Sequence, residues 1–334
     1  MRETTVELAD ERVDWKVPTL FDNDWIALSL AHALNPLLSK PLFSTAYGCP
    51  ACAWAGGRPL RQQHRLDEQE LRRYFEAYRS VGSCCALTFS RPDAGDFLDD
   101  AYSNLLLSLV DEYGGQAIVV DDRLARHIRA THPSVTIVAS NNICVLDHAK
   151  GFGGLDEEKY YRHLLERYDE VVVRCEALLP GGITESLVDV ADRIELIVNQ
   201  RCVVNCPDAP AHIAAMAHVI KTMAEGGDPG PHSCTQVGNK RKVGNIYVSP
   251  ERRTVLADRG FVKFKLQGRN APATLTLKNL VHNICRDRDA VLDLDALYPI
   301  MEEALVMDVS RITQEELKRV PYDGLTRIPE SLSL

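Results

Sequence analysis

The 334-residue sequence has no run of about 18 apolar residues, so no segment reads as a membrane-spanning helix. Residues 1–16, MRETTVELADERVDWK, contain no apolar core, and the start of the chain does not read as a secretory signal. No G-x-G-x-x-G follows the first apolar run, so a dinucleotide-binding sheet lacks its phosphate-cradling turn. There is no H-E-x-x-H and no nucleophile–base motif to support hydrolysis. A C-x-x-x-C-x-x-C run is missing, which speaks against a radical S-adenosylmethionine enzyme. Acidic residues outnumber basic ones, 47 to 38, and the formal net charge of −9 is against a generic nucleic-acid binder. The basic cluster Lys240, Arg241 and Lys242 sits in a long loop, and three such charges read as solvated. Membranes and nucleic acids are therefore not expected partners.

What the chain does have is an alternating pattern in a composition, 45% hydrophobic and 25% charged, that suits a soluble globular fold. Apolar or β-branched runs fall at 42–47, 84–89, 116–120, 135–139, 170–174, 195–198, 245–248 and 262–266. Amphipathic stretches lie between them, at 67–81, 99–113, 122–131, 156–168, 184–192, 209–224, 250–259 and 272–285. The first of these opens on Asp67 with Glu70 three residues on, the spacing of a capping box. Strands alternating with helices imply parallel pairing through right-handed crossovers. Eight such units at this length predict a single α/β domain, a (β/α)8 TIM-barrel-like fold over 41–290. Residues 1–40 are then expected to pack on the barrel, and 291–334 to form a C-terminal extension with a helix at 299–307. Residues 147–155 and 226–244 read as irregular, and long loops in compact domains tend to be functional.

In such a barrel the active site lies at the C-terminal ends of the strands. Those ends carry Arg58, Ser90, Asp121, Asn141, Arg174, Glu176, Asn199, Gln267 and Arg269. Arg58, Arg174 and Arg269 are candidates to clamp a carboxylate or phosphate, with Ser90, Asn141 and Gln267 also placed to bind substrate. Asp121 and Glu176 are candidates for proton transfer. Asn199 is expected to orient a ligand of the metal site or to contact substrate.

The cysteines sharpen this. Ten cysteines without a secretory signal point to a reducing, cytoplasmic setting, where clustered thiols bind metals or react. Cys202 and Cys206 follow directly on an apolar strand, and Cys234 lies in the next long loop with His232 two residues before it. Thiolates are soft ligands suited to zinc or iron–sulfur iron. Cys49 and Cys52 end the strand at 42–47 on the same expected face, so Cys49, Cys52, Cys285 or a histidine completes the set. Cys84, Cys85, Cys144 and Cys175, on or beside strands, read as core residues.

Several motifs in order resemble the collagenase-like peptidase family U32, whose superfamily includes oxygen-independent ubiquinone-pathway and RNA hydroxylases. They are Asn199-x-x-Cys202-x-x-x-Cys206-Pro207 with His212 after it, and Phe264-Lys265-Leu266-Gln267-Gly268-Arg269. Upstream, Tyr47-Gly48-x-Pro50, Trp54-x-Gly56-Gly57-Arg58, Thr88-Phe89-Ser90 and Asp100-x-x-x-Asn104 look like an outlying branch, so the resemblance spans about 42–286. It implies a (β/α)8-like barrel, a [4Fe–4S] cluster and hydroxylation without molecular oxygen. Residue by residue, it implies Cys202, Cys206 and Cys234 as cluster ligands, with Cys49 as an early one. The chain departs from the pattern in the longer gap between Cys206 and Cys234 and in the added Cys52. The expected function is an iron–sulfur oxidoreductase acting on a small polar or anionic substrate. A Zn2+-dependent hydrolase or lyase is the alternative, and so is a non-catalytic subunit paired with a second barrel protein.

Overall fold

A computed structural model describes residues 10–57, 65–174, 178, 183–200, 206–228, 245–269, 271, 273–284 and 325–327. The strands are β1 (Asp14–Val17), β2 (Thr45–Gly48), β3 (Cys84–Phe89), β4 (Gln116–Val119), β5 (Thr136–Ala139) and β6 (Glu170–Val173). They continue with β7 (Ile194–Ile197), β8 (Asn199–Gln200), β9 (Asn245–Tyr247), β10 (Lys263–Lys265) and β11 (Leu325–Arg327). Eight of these close a barrel in the ring order β1-β10-β7-β6-β5-β4-β3-β2, every pair parallel. The (β/α)8 TIM-barrel-like architecture is as expected.

One strand differs. The run at 245–248 is not in the barrel: β9 pairs antiparallel with β8 and parallel with β11 in a separate three-stranded sheet. Its place is taken by β1, so Asp14–Val17, within residues 1–40, is a stave of the barrel itself rather than part of a segment packed against it. The physical reason is local. A short apolar run reads the same whichever sheet it joins, whereas β1 is four residues long and carries Lys16 between Trp15 and Val17.

The helices α1 (Asp24–Leu34), α2 (Glu68–Ser80), α3 (Ala101–Glu112), α4 (Asp122–Thr131), α5 (Asn141–His148) and α6 (Glu157–Leu165) interleave with the strands. After them come α7 (Ala209–Ala224), α8 (Pro250–Asp258) and α9 (Ala273–Ile284). In α2 the capping box forms in both directions, Asp67 accepting from the Glu70 amide and Glu70 from the Asp67 amide. Leu71, Phe75 and Tyr78 repeat at helical spacing and bury one face. The stretch at 184–192 is a 3-10 segment, Glu185–Arg193, instead of an α-helix. α5 occupies the start of what reads as irregular sequence, and a Gly151–Gly154 turn follows it. The helix expected at 299–307 lies outside the described residues. No helix among the described residues is long and apolar enough to cross a membrane.

Outward-facing strand residues and the helices form the main core, where Trp15 meets Phe264 edge to face at 5.7 Å. Such ring pairs add about 0.5–1.5 kcal/mol beyond burial. The barrel interior is layered differently. A ring of Tyr47, Ala86, Ile118, Val138, Val172 and Ile197 forms its own apolar cluster. Below it, towards the strand N-termini, lies an ionic layer. Lys16 Nζ donates to Glu170 Oε2 at 2.6 Å, to Glu195 Oε1 at 2.5 Å and to Gln116 Oε1 at 3.1 Å. Lys263 Nζ donates to Glu170 Oε1 at 2.5 Å, and Lys265 Nζ to Glu195 Oε2 at 3.1 Å. Glu195 has no solvent exposure. A buried carboxylate survives only with partners of this kind.

Candidate active site

A cavity of about 180 Å³ opens at the C-terminal end of the barrel. Its floor is the apolar ring, through Tyr47, Ile118, Val172 and Ile197, with Lys265 beside them. Its walls are Thr88 and Ser90 after β3, Ser140, Asn141 and Asn142 at the start of α5, and Gln267 and Arg269 after β10. Helix α7 covers one side with His212, Ile213 and Met216. No acidic side chain is among the described residues that line the cavity.

Arg269 is set by glycines. Its guanidinium donates to Thr88 Oγ1 at 2.6 Å and to the Gly56 carbonyl at 3.3 Å. Gly57 has φ +83°, and a Cβ there would lie 2.1 Å from Arg269 Nη2. A Cβ on Gly56 would lie 2.3 Å from the Ser90 carbonyl oxygen. Only glycine lets this loop pass so close to both the Ser90 backbone and the arginine. The amide of Gly56 also donates to the Thr88 carbonyl, lacing the loop after β2 onto the end of β3.

Helix α5 points its N-terminus at the cavity. Ser140 Oγ caps it by accepting from the Asn142 amide, and the helix dipole favours a negative group near Asn141. Asn141 Oδ1 is buried without a hydrogen-bond partner. Tyr47 donates its hydroxyl to the Leu266 carbonyl, which holds the ring against Lys265 Nζ at 4.6 Å from its centre. Burial lowers the pKa of the Lys265 ammonium, Glu195 raises it, and the neighbouring cations Lys16 and Arg269 lower it further, leaving it below the ordinary lysine value.

Of the residues singled out from sequence, the structure gathers Ser90, Asn141, Gln267 and Arg269 around this one cavity. Asn199 is elsewhere engaged. Its side-chain amide accepts from the Gln267 amide at 2.6 Å and donates to the Gln267 carbonyl at 2.9 Å, so it fixes the backbone after β10 and does not line the cavity. Asp121 is a structural carboxylate, not a proton-transfer group of the cavity. It caps α4 at the Arg123 amide, accepts from the Gly95 amide and pairs with the Arg123 guanidinium at 2.9 Å. Burial pushes its carboxyl up, but Arg123 and the two amides prevail and hold it below the ordinary value. Arg174 is buried with its guanidinium over the Phe152 ring and lies outside the cavity lining. Arg58, Glu176, Cys202, Cys234, His232 and Cys285 lie outside the described residues, as does the 240–242 cluster. Lys265 is a cavity-lining side chain that strand-end reasoning passes over, although the pattern Lys263-Phe264-Lys265 already shows two charges on one face of an apolar strand.

The cysteines separate into two places. Cys206 is part-exposed just before α7, the helix that covers the cavity. Cys49 and Cys52 are buried, with their sulfurs 3.9 Å apart. Burial and the Cys52 sulfur raise the Cys49 thiol. Burial also pushes Cys52 up, but hydrogen bonds from Cys49, Ser103 and the Trp54 and Ala55 amides bring it below the ordinary thiol value. A separation near 3.9 Å suits two thiolates on one tetrahedral ion, which at a metal–sulfur distance of about 2.3 Å stand about 3.8 Å apart. It is not the wider spacing of two corners of a cluster. Among the described residues no three His, Cys, Asp or Glu side chains stand together to hold a metal, so Cys49 and Cys52 do not converge with Cys206. Cys206 stands three residues before α7, and among the described residues Cys49 does not converge with it. Cys85 and Cys144 are buried beside strands, and Cys84 hydrogen-bonds Thr45 at 3.3 Å.

No family model matches the chain, and no curated protein matches it. Among solved structures, the chain is similar to "The Structure of the U32 Peptidase Mk0906", with 15% sequence identity and a TM-score of 0.48. The match covers 78% of this chain and 94% of that one. A likeness of this size assigns neither family nor activity.

Proposed function

We propose that the chain is an enzyme that binds a small anionic substrate in the barrel mouth. One observation carries this reading: Lys265 and Arg269 both line a cavity whose described lining includes no carboxylate. A guanidinium and an ammonium above an apolar floor, with neutral donors from Ser90, Asn141 and Gln267 around them, recognise a carboxylate better than any neutral group. The thiol-rich segment after β8 is the proposed seat of a [4Fe–4S] cluster. The reading is supported by Cys206, which precedes α7 by three residues, while α7 carries His212 into the cavity. Cys202 and Cys234 would join Cys206. When bound, such a cluster supplies electron transfer or Lewis acidity at the cavity rim, the chemistry an oxygen-independent hydroxylase needs. The chain's own residues bind and orient the substrate: Arg269 holds its anionic end, Asn199 fixes the Gln267 backbone, and the Tyr47–Ile118–Val172–Ile197 floor keeps water from below.

Two measurements test this. Calorimetry with small carboxylates and their neutral amide counterparts should show binding of the acids only, and Arg269→Ala should lose at least about tenfold in affinity. Equal binding of acids and amides would sink the reading of the cavity. Separately, anaerobic purification should give brown protein with about four irons per chain. Colourless protein with one zinc would instead support a zinc enzyme.

A further inference from the structure

Lys265 carries the amine least firmly held in the ionic layer. Among the described residues three lysines there, Lys16, Lys263 and Lys265, face two glutamates, Glu170 and Glu195. Lys16 reaches both carboxylates, at 2.6 and 2.5 Å, and Lys263 reaches Glu170 at 2.5 Å. Among the described residues Lys265 has one carboxylate partner, Glu195 at 3.1 Å, and shares it with Lys16. A surplus positive charge in a dry interior is costly, and it is relieved most easily at the amine with the weakest partner. That amine is also the one of the three that lines the cavity. Its nitrogen stands 4.6 Å from the centre of the Tyr47 ring and borders the cavity that Arg269 also borders.

We propose that Lys265 is a nucleophilic amine that captures the carbonyl carbon of a small oxo acid whose carboxylate is held by Arg269. This rests on the barrel-mouth reading of the cavity and does not depend on the cluster. The Lys265 ammonium first releases one proton to solvent; the freed nitrogen lone pair then forms a bond to the carbonyl carbon, and the carbon–oxygen π pair moves onto oxygen. The two protons of the amine nitrogen depart with that oxygen as water, leaving an imine. One amine and one carbonyl give one imine and one water, and no oxidant or reductant is consumed. Glu195 remains paired with Lys16 throughout, so the loss of a positive charge from Lys265 leaves two lysines against two glutamates.

Reductive trapping tests the proposal. The whole protein is incubated at pH 7 with glyoxylate and sodium cyanoborohydride, and adducts are located by peptide mass spectrometry. Fewer than about one surface lysine in a thousand is neutral at this pH, so background labelling is slow. The expected result is an adduct on Lys265 formed at least tenfold faster than on any other lysine. Lys265→Arg, which keeps the cation, should fold and show only the background labelling. In parallel, glycolate, which has the carboxylate but no carbonyl, is tested for binding by thermal shift. Glycolate binding with label scattered over surface lysines would overturn the role of Lys265 and leave the anion site standing. No glycolate binding and no Lys265 adduct would overturn both.

Discussion

The two ends of the barrel interior are both polar, and they differ in how their polar groups are satisfied. At the lower end Lys16, Lys263, Glu170 and Glu195 are joined by close ion pairs, with Gln116 filling a further position on Lys16. At the upper end Asn141 keeps a buried oxygen without a partner among the described residues, and Lys265 and Arg269 both border a cavity. Polar groups closed on one another hold a barrel in register, while polar groups left open to a cavity await a ligand. The contrast predicts that substitutions below change stability and substitutions above change binding.

The largest expected effect is at Glu195. Glu195→Gln leaves Lys16 and Lys265 buried with their shared carboxylate gone, and should cost about 3–5 kcal/mol in urea unfolding. Lys265→Met removes the surplus cation and should cost less than about 1 kcal/mol, being a volume-conserving change that restores charge balance. Equal losses in the two variants would break the distinction between floor and mouth. The acid limb of stability comes next. Burial pushes the Glu195 carboxyl up, but Lys16 and Lys265 outweigh it and hold it at about 2. Its contribution is therefore complete above the ordinary glutamate range near pH 4.3 and is lost as pH falls from there towards 2. Urea titrations across that window should show the loss in the wild type and a flatter profile in Glu195→Gln.

A smaller effect, of the opposite kind, is expected at the mouth. Arg269→Ala should weaken carboxylate binding by about 1.5–3 kcal/mol in calorimetry while leaving the unfolding midpoint nearly unchanged. Gly57→Ala should reproduce much of that loss, because its Cβ would displace the guanidinium, and should add about 1–2 kcal/mol of backbone strain. The smallest effect is at Asp67, remote from both ends. Asp67→Ala removes one half of the α2 capping box and should lower stability by about 1 kcal/mol without altering affinity.

Much of this frame could be read from the sequence. Seven of the expected apolar runs are barrel strands, and α4 and α7 begin and end where their periodicity does, at Asp122–Thr131 and Ala209–Ala224. Those segments are long or strongly patterned, and their caps are local. β1 escaped because its inward residue is Lys16, whose partners Glu170 and Glu195 lie more than 150 residues away, at separations of 154 and 179. The same distance hides the ionic layer: Glu170 and Glu195 look like ordinary charges at strand starts until the barrel brings them to Lys16. At the site, the strand-end rule finds Ser90, Asn141, Gln267 and Arg269. It misjudges Asp121 and Asn199, because sequence does not say whether a side chain turns into the cavity or back onto an adjacent amide. Lys265 lies one residue too deep for that rule.

The pairing of β1 with β10 has a consequence for the life of the chain as it is made. The first and last staves of the barrel are Asp14–Val17 and Lys263–Lys265, so a nascent chain has both sheet edges open until Lys265 has left the ribosome. The same final stave delivers Lys265, and with it Gln267 and Arg269. An unfinished chain thus has no mouth to bind with, and ring closure and the arrival of the site are one event in its synthesis.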